Sequence, residues 1–398
     1  RIRQLAAHEI GHTLGFSHNF AASTNGRTSV MDYPHPKFTL KNGEIDFSDA
    51  YDTKIGAWDK VIVNYSYQDF SSDKNEEIEL KNILENAYKS GLKYLSDADA
   101  RPSGSASATA HLWDNGDNIY DELINLLKIR KTAIANFSLD NIKSGEPYSV
   151  LEDVFVPLYF LHRFQTEATV KLIGGLEYSY AVKGGNQKVV ERVSGDTELK
   201  ALAAVIKTIS VDEIAIPKEK LALFPPRAYG YNRTRESFKS KLGVAFDAFS
   251  AVETTSEMTF NLLLHPQRMS RLVAHKSLDD SQLGFNELVD ILIINTIRKN
   301  HKDTYYQELQ NVVNTQFLEG LMYLSTYKNQ YQQVNAIAMF KLEEVKKILE
   351  GKNANGVQKI YDAAMIKMID GFLKNPTTFK KSSAPQIPDG SPIGSSPF

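Results

Sequence analysis

Eleven residues near the start of the chain constrain it more than any others: His8-Glu9-Ile10-Gly11-His12-Thr13-Leu14-Gly15-Phe16-Ser17-His18. His8 and His12 are four apart, so on a helix both imidazoles leave one face, a turn apart. Glu9 leaves the same helix beside them, within reach of a metal-bound water. Gly15 can end the helix in a left-handed turn that most residues resist, and that turn would bring His18 round as a third nitrogen ligand. Three neutral imidazoles leave one position of a tetrahedral Zn²⁺ open for water, which is the catalytic rather than the structural arrangement. The spacing therefore names His8, His12 and His18 as metal ligands and Glu9 as the general base.

A second motif follows, its methionine thirteen residues after His18. Ser29-Val30-Met31-Asp32-Tyr33 resembles the Met-turn of the metzincin metallopeptidases, a tight turn that places a methionine beneath the zinc. The resemblance gives Met31 a structural role. It makes Tyr33 a candidate to bind the metal and stabilise the oxyanion, the other reading being an aromatic wall of the pocket. With the flanking Arg1 to Ala7 and Pro34-His35-Pro36, the chain resembles one family more closely, the large bacterial zinc-dependent metalloproteases with a long helical C-terminal extension. The likeness continues through Asp97-Ala98-Asp99-Ala100-Arg101-Pro102, His111-Leu112-Trp113-Asp114-Asn115-Gly116, His162 to Ala168 and Ile173 to Tyr180. It implies a zinc metalloendopeptidase acting on protein or peptide substrates, exported to the periplasm, the outer membrane or the medium. In such a mechanism zinc lowers the pKa of its water to about 7. Glu9 then takes the proton and delivers it to the leaving amine.

Bulk properties remove several alternatives. The 398 residues allow two or three domains. Lys plus Arg number 46 against 48 Asp plus Glu, a net charge of −2, so there is no electrostatic reason to expect nucleic acid or an anionic membrane. No apolar run is long enough to span a bilayer. The chain has no cysteine, which excludes disulfides, thiolate ligation and thiol catalysis and fits export. No signal peptide is visible. Nothing in the sequence fixes the oligomeric state.

The remainder reads as mainly α. The expected fold is the C-terminal part of a metzincin catalytic domain over residues 1–70, an α-helical extension with one β-hairpin over 71–375, and a flexible Pro/Ser/Gly-rich tail over 376–398. Ile2 to Leu14 is the zinc helix, with Leu5, Ile10 and Leu14 available for packing. Asn42-Gly43 is a turn signal. Ser48 is a plausible N-cap for a closing helix that runs to about Tyr65. Helices are expected at 78–95, 119–137, 154–173 (with Pro157 near its start), 198–209, 252–264, 285–300, 304–324, 334–349 and 357–373. A loop is expected over 97–113, and a hairpin over Tyr178–Val182 and Lys188–Val193 around Gly184-Gly185-Asn186.

Other groups admit two readings each. His111, Asp114, Asn115 and Asp117 could hold a second metal or cap the next helix. Asp97, Asp99 and Arg101 could reach the active cleft or form a local ion-pair network. Arg163 and Glu167 have i,i+4 spacing, and His35 between two prolines reads as an exposed loop histidine. Only seven residues precede His8, where a metzincin places a twisted sheet and an earlier helix. The resemblance therefore implies that this chain alone turns over substrate poorly and needs an upstream segment. The hairpin near Tyr178 could replace the sheet edge, although packing on the helical extension is the expected use. Two functions of other classes stand beside the peptidase. One is a helical partner- or polymer-binding protein with a vestigial zinc site, against which the intact Glu9 argues. The other is a hydrolase of a non-peptide amide.

Overall fold

The computed structural model describes residues 1–233 and 237–381. It is mainly helical, and the chain divides into two compact units: residues 1–129 with 162–201, and residues 130–161 with 202–398. The expected division at residue 70 does not coincide with this one. Residues well beyond 70 complete the first unit, because Leu95, Ala100 and Ala110 are buried against Phe20 and Ala21, only a few residues past the third histidine. Two backbone hydrogen bonds fix that packing, Phe20 N–H to Leu95 O (2.9 Å) and His111 N–H to Phe20 O (3.1 Å).

In the first unit the helix Ile2–Thr13 ends where Gly15 takes φ +86°. It turns His8 and Gly11 inward, so Ile10 and Leu14, which the pattern offered for packing, stay 58% and 42% exposed. Asn42 and Gly43 both have positive φ and close a hairpin, Thr39–Lys41 with Glu44–Asp46, paired Leu40 to Ile45. This is the geometry that Asn-Gly favours, and it adds a second hairpin to the one expected. The closing helix is Ala57–Tyr67, and Gly56 rather than Ser48 precedes it. Its third residue, Asp59, accepts the Gly56 N–H at 2.6 Å, satisfying an otherwise orphaned donor at the helix start. The next helix, Glu76–Lys89, stops short of Leu95 because Gly91 turns left-handed at φ +87°. Within the expected loop, Asp97–Ala100 forms one helical turn.

The expected helix over 154–173 is two helices, Leu151–Tyr159 and Arg163–Lys171. Pro157 lies inside the first of them. It has no N–H to give the ladder, which weakens the helix just before it ends. The later hairpin pairs Leu176–Tyr178 with Val190–Arg192. It belongs to the first unit, not to a helical extension: Leu176 bridges in parallel to Ser107, with Leu176 N–H to Ala106 O at 2.7 Å and Ala108 N–H to Leu176 O at 3.0 Å. Glu167 forms its ion pair with Lys171, at 3.4 Å.

The second unit holds an aromatic core in which Phe137, Phe155, Tyr159, Phe160, Phe224 and Phe238 are buried together. Its helices Ala248–Leu263, Thr304–Thr326, Gln332–Glu350 and Gly356–Lys374 match the periodic segments to within a few residues. Pro266–Leu278 is a further helix that the pattern did not reveal. Thr304–Thr326 is the central one, packed by Ala248–Leu263 and Gln332–Glu350. Of the expected tail, residues 376–378 form a 3₁₀ turn and Phe379 meets Phe372 edge to face at 5.4 Å. Residues 382–398 lie outside the described residues.

Two glycines make a paired test. A Cβ at Gly56 would overlap the Thr28 carbonyl and the Ser29 nitrogen, which are backbone atoms that cannot swing away. Gly56→Ala is expected to destabilise by about 1–3 kcal/mol, as overpacking does. Gly371, inside an exposed helix face, has nothing within 4 Å of the added methyl. Gly371→Ala is expected to stabilise by about 0.5–1 kcal/mol. Urea melts of both variants check the two signs.

Candidate metal centre

The first unit brings the three histidines of the motif together. His12 Nε2 lies 3.0 Å from His8 Nε2 and 3.2 Å from His18 Nε2. A tetrahedral ion with Zn–N bonds of about 2.0–2.1 Å holds its ligand nitrogens roughly 3.3–3.4 Å apart. The spacing therefore fits one zinc ion closely. Among the described residues this is the one group of three or more histidine or carboxylate side chains that converges tightly enough to hold a metal.

The opposite ring nitrogens determine what those three atoms are. His8 Nδ1 lies 2.7 Å from Val30 O, His12 Nδ1 2.8 Å from Phe16 O, and His18 Nδ1 2.9 Å from an Asp97 carboxylate oxygen. Each partner only accepts, so each Nδ1 carries the hydrogen and each neutral ring turns an Nε2 lone pair toward the other two. Burial lowers the pKa of His8 and of His18, which favours the neutral rings a metal needs. Three lone pairs facing one point repel one another unless a cation lies between them.

The partners come from distinct pieces of chain. Phe16 is local, placed by the turn at Gly15. Val30 belongs to the Met-turn, which Asp59 holds from the closing helix: its carboxylate accepts the Ser29 hydroxyl at 2.6 Å and the Val30 N–H at 2.9 Å. Met31 is 1% exposed, and its N–H donates to Ser29 Oγ at 3.0 Å. Gly11 lets the turn approach the zinc helix, since a Cβ there would overlap Met31 Sδ. Asp97 is the first residue of its one-turn helix. Burial raises its pKa, but hydrogen bonds from Arg101 (Nε at 2.5 Å) and His18 outweigh that and hold the carboxyl at about 2. Of the two readings for Asp97 and Arg101, both are met, because the ion pair is itself part of the site.

Tyr33 forms a wall of the centre, its ring centroid 4.8 Å from that of His18 and 5.4 Å from that of His8. Trp113, at φ +55°, stacks on its outer side at 5.4 Å, and the Arg101 guanidinium lies over its ring at 5.7 Å. Glu9 is exposed on the zinc helix and close enough to act on the charge of His8. His35 is half-buried rather than exposed, since Phe38 and Phe164 flank it; burial lowers its pKa to about 4, and it takes no part in the histidine group. Asp99 turns away from the metal and accepts the hydroxyls of Tyr178 and Tyr180, tying the later hairpin to this unit.

A family model described as Met-zincin, which carries a domain-of-unknown-function designation, matches residues 1–304. The chain belongs to the Met-zincin family. Membership makes it a metalloprotease in general kind, and the convergent imidazoles are compatible with the zinc that a Met-zincin binds. No curated protein and no solved structure gives a significant match. In this Met-zincin the sequence motif named the three histidines and the turn, but it gave no role to Gly11, Asp59 or Trp113. An acidic residue three places after Gly56 was the available signal for Asp59, being the usual position for a carboxylate that caps a helix start.

Asp97→Asn keeps the shape of the side chain and removes its charge. It is expected to weaken zinc binding about 10- to 100-fold, the usual effect of losing an outer partner of a ligating histidine, with unchanged far-UV circular dichroism. Competition against a chromogenic zinc chelator measures it, and wild-type affinity in the variant would detach Asp97 from the centre.

Proposed function

We propose that this chain is a zinc-dependent endopeptidase, cleaving internal peptide bonds of protein or peptide substrates. The observation that carries this reading is the convergence of three Nε2 lone pairs at 3.0–3.2 Å with Glu9 on the same helix. A purely structural zinc site closes all four positions with protein ligands and has no use for a neighbouring general base. When bound by His8, His12 and His18, zinc would supply Lewis acidity and a water of lowered pKa.

The chain's own residues do the rest. Glu9 accepts the proton of the attacking water and returns it to the amine nitrogen as the C–N bond breaks. Its exposure on the open side of the helix supports the role, because the substrate must approach there. Tyr33 donates its hydroxyl to the oxyanion of the tetrahedral intermediate, adding to the stabilisation from the metal. Its placement against His8 and His18, with Arg101 as a hydrogen-bond partner, supports that second role. Met31 fills the floor beneath the ligands. An exported setting, which only the family resemblance implies, is where such a peptidase would meet its substrates.

Three variants separate the parts. His18→Ala is expected to lose stoichiometric zinc by elemental analysis. Glu9→Ala is expected to keep zinc and lose at least about a hundredfold in turnover of a proteome-derived peptide library. Tyr33→Phe is expected to keep zinc and lose about tenfold, since the metal carries most of the oxyanion charge. Full turnover by Glu9→Ala would place the chemistry elsewhere, and full turnover by Tyr33→Phe would leave Tyr33 as pocket wall alone.

A further inference from the structure

Apart from the histidine centre, the first unit contains a second polar site that the peptidase reading does not use. Asp32 and Asp114 are 5% and 2% exposed and line one small cavity, together with Ser23 and Asn115. Ser23 bridges the two carboxylates, its N–H facing Asp32 and its hydroxyl donating to Asp114 Oδ2 at 2.9 Å. Asp32 is further held by the Tyr33 N–H at 2.6 Å. The other oxygen of Asp114, Oδ1, is buried and has no hydrogen-bond partner.

Two carboxylates buried beside each other cannot both stay ionised without a compensating positive charge. None of the nearby cations forms an ion pair with either carboxylate. Arg27 lines the same cavity but pairs with Asp49 at 3.3 Å. Lys171 acts on Asp114 only at a distance, its ammonium being held by Ala100 O at 2.5 Å and by Glu167. Lys54 lines the cavity without an ion pair to either carboxylate. The cavity measures about 20 Å³, enough for a single water-sized occupant. Apart from the Arg27 and Lys54 side chains, its polar lining offers oxygens: the Asp32 and Asp114 carboxylates, the Ser23 hydroxyl and the Asn115 amide, with Asp52, Gln4 and Ser29 also on its wall. Such a set suits a hard divalent cation rather than zinc. His111 and Asp117, the other members of that sequence cluster, do not line it, and His111 Nε2 faces Ala108 O at 3.2 Å.

We propose that Asp32 and Asp114, bridged by Ser23, hold a structural calcium-type cation distinct from the histidine centre. Bound there, it clamps the residue after Met31 to the loop at Asp114, and so braces the Met-turn. The proposal does not depend on peptidase activity, and its test reads binding and stability only.

The whole chain is stripped with chelator, reloaded with zinc alone, and titrated with calcium chloride by calorimetry, with a thermal melt at each end point. The wild type is expected to bind one calcium per chain without displacing zinc, and its melting midpoint to rise by several degrees at calcium a hundredfold above the Kd. Asp114→Asn is expected to keep its zinc and lose both calcium effects. Ser23→Ala, which spares both carboxylates, is expected to bind calcium more weakly, and it keeps the test open should Asp114→Asn fold poorly. No calcium uptake by the wild type would overturn the proposal and leave the pair sharing a proton. Wild-type calcium binding in Asp114→Asn would overturn it equally. Zinc content, measured on the same samples, reports on the histidine centre independently.

Discussion

Everything at the candidate centre depends on three hydrogen bonds made by the far sides of the rings. Had any Nδ1 lost its acceptor, that imidazole could carry its hydrogen on Nε2 and would point a donor, not a lone pair, at the metal. The acceptors differ in sequence distance from their histidines: four residues for His12, 22 for His8 and 79 for His18. The first is made within the helix and its terminal turn. The second requires the Met-turn, and the third requires a segment well beyond the closing helix. A zinc helix alone would therefore set one tautomer out of three.

The Met-turn links the local and the distant parts. Asp59 holds Ser29 and Val30 from the closing helix, Val30 O holds His8, and Asn19 N–H donates to Met31 O at 3.0 Å, next to His18. Close approach of this turn to the zinc helix and to the start of the closing helix is possible only because Gly11 and Gly56 have no side chains. The methionine thus packs as an ordinary apolar side chain while the turn's backbone orients a ligand. That division explains why a residue with no chemistry of its own is buried against Gly11 of the zinc helix.

On the side facing Asp97 the centre is electrostatic rather than apolar. Asp97 places negative charge behind His18, which makes that imidazole a stronger donor to a metal, while Arg101 keeps the carboxylate ionised and also reaches Tyr33. A ligand, its carboxylate partner and the aromatic wall are thereby coupled through one guanidinium. The adjoining segment serves the fold: Ala100 packs under Phe20, and Asp99 anchors the hairpin tyrosines. A single short stretch, 97–101, both orients one histidine of the centre and contributes to the packing of the unit.

Spacing alone was enough to pick out the three histidines that converge, since i,i+4 histidines share a helix face whatever surrounds them and Gly15 marks the turn that returns His18. The same local rules identified the amphipathic helices Ala248–Leu263, Thr304–Thr326, Gln332–Glu350 and Gly356–Lys374, though not Pro266–Leu278, and the Asn-Gly turn. They did not reveal where the chain divides, because Leu95, Ala100, Ala110 and the 176–192 hairpin join the catalytic unit through contacts between residues far apart in sequence. Nor did they choose between the two readings of Asp97, of Tyr33 or of the Asp114 cluster: a carboxylate or a phenol reads the same in sequence whether it faces solvent, a partner or a buried neighbour. The sequence by itself determined which atoms can bind a metal. Tertiary structure alone decided their tautomers, their spacing and the charges behind them, because each of those depends on a partner that only folding brings within hydrogen-bonding distance.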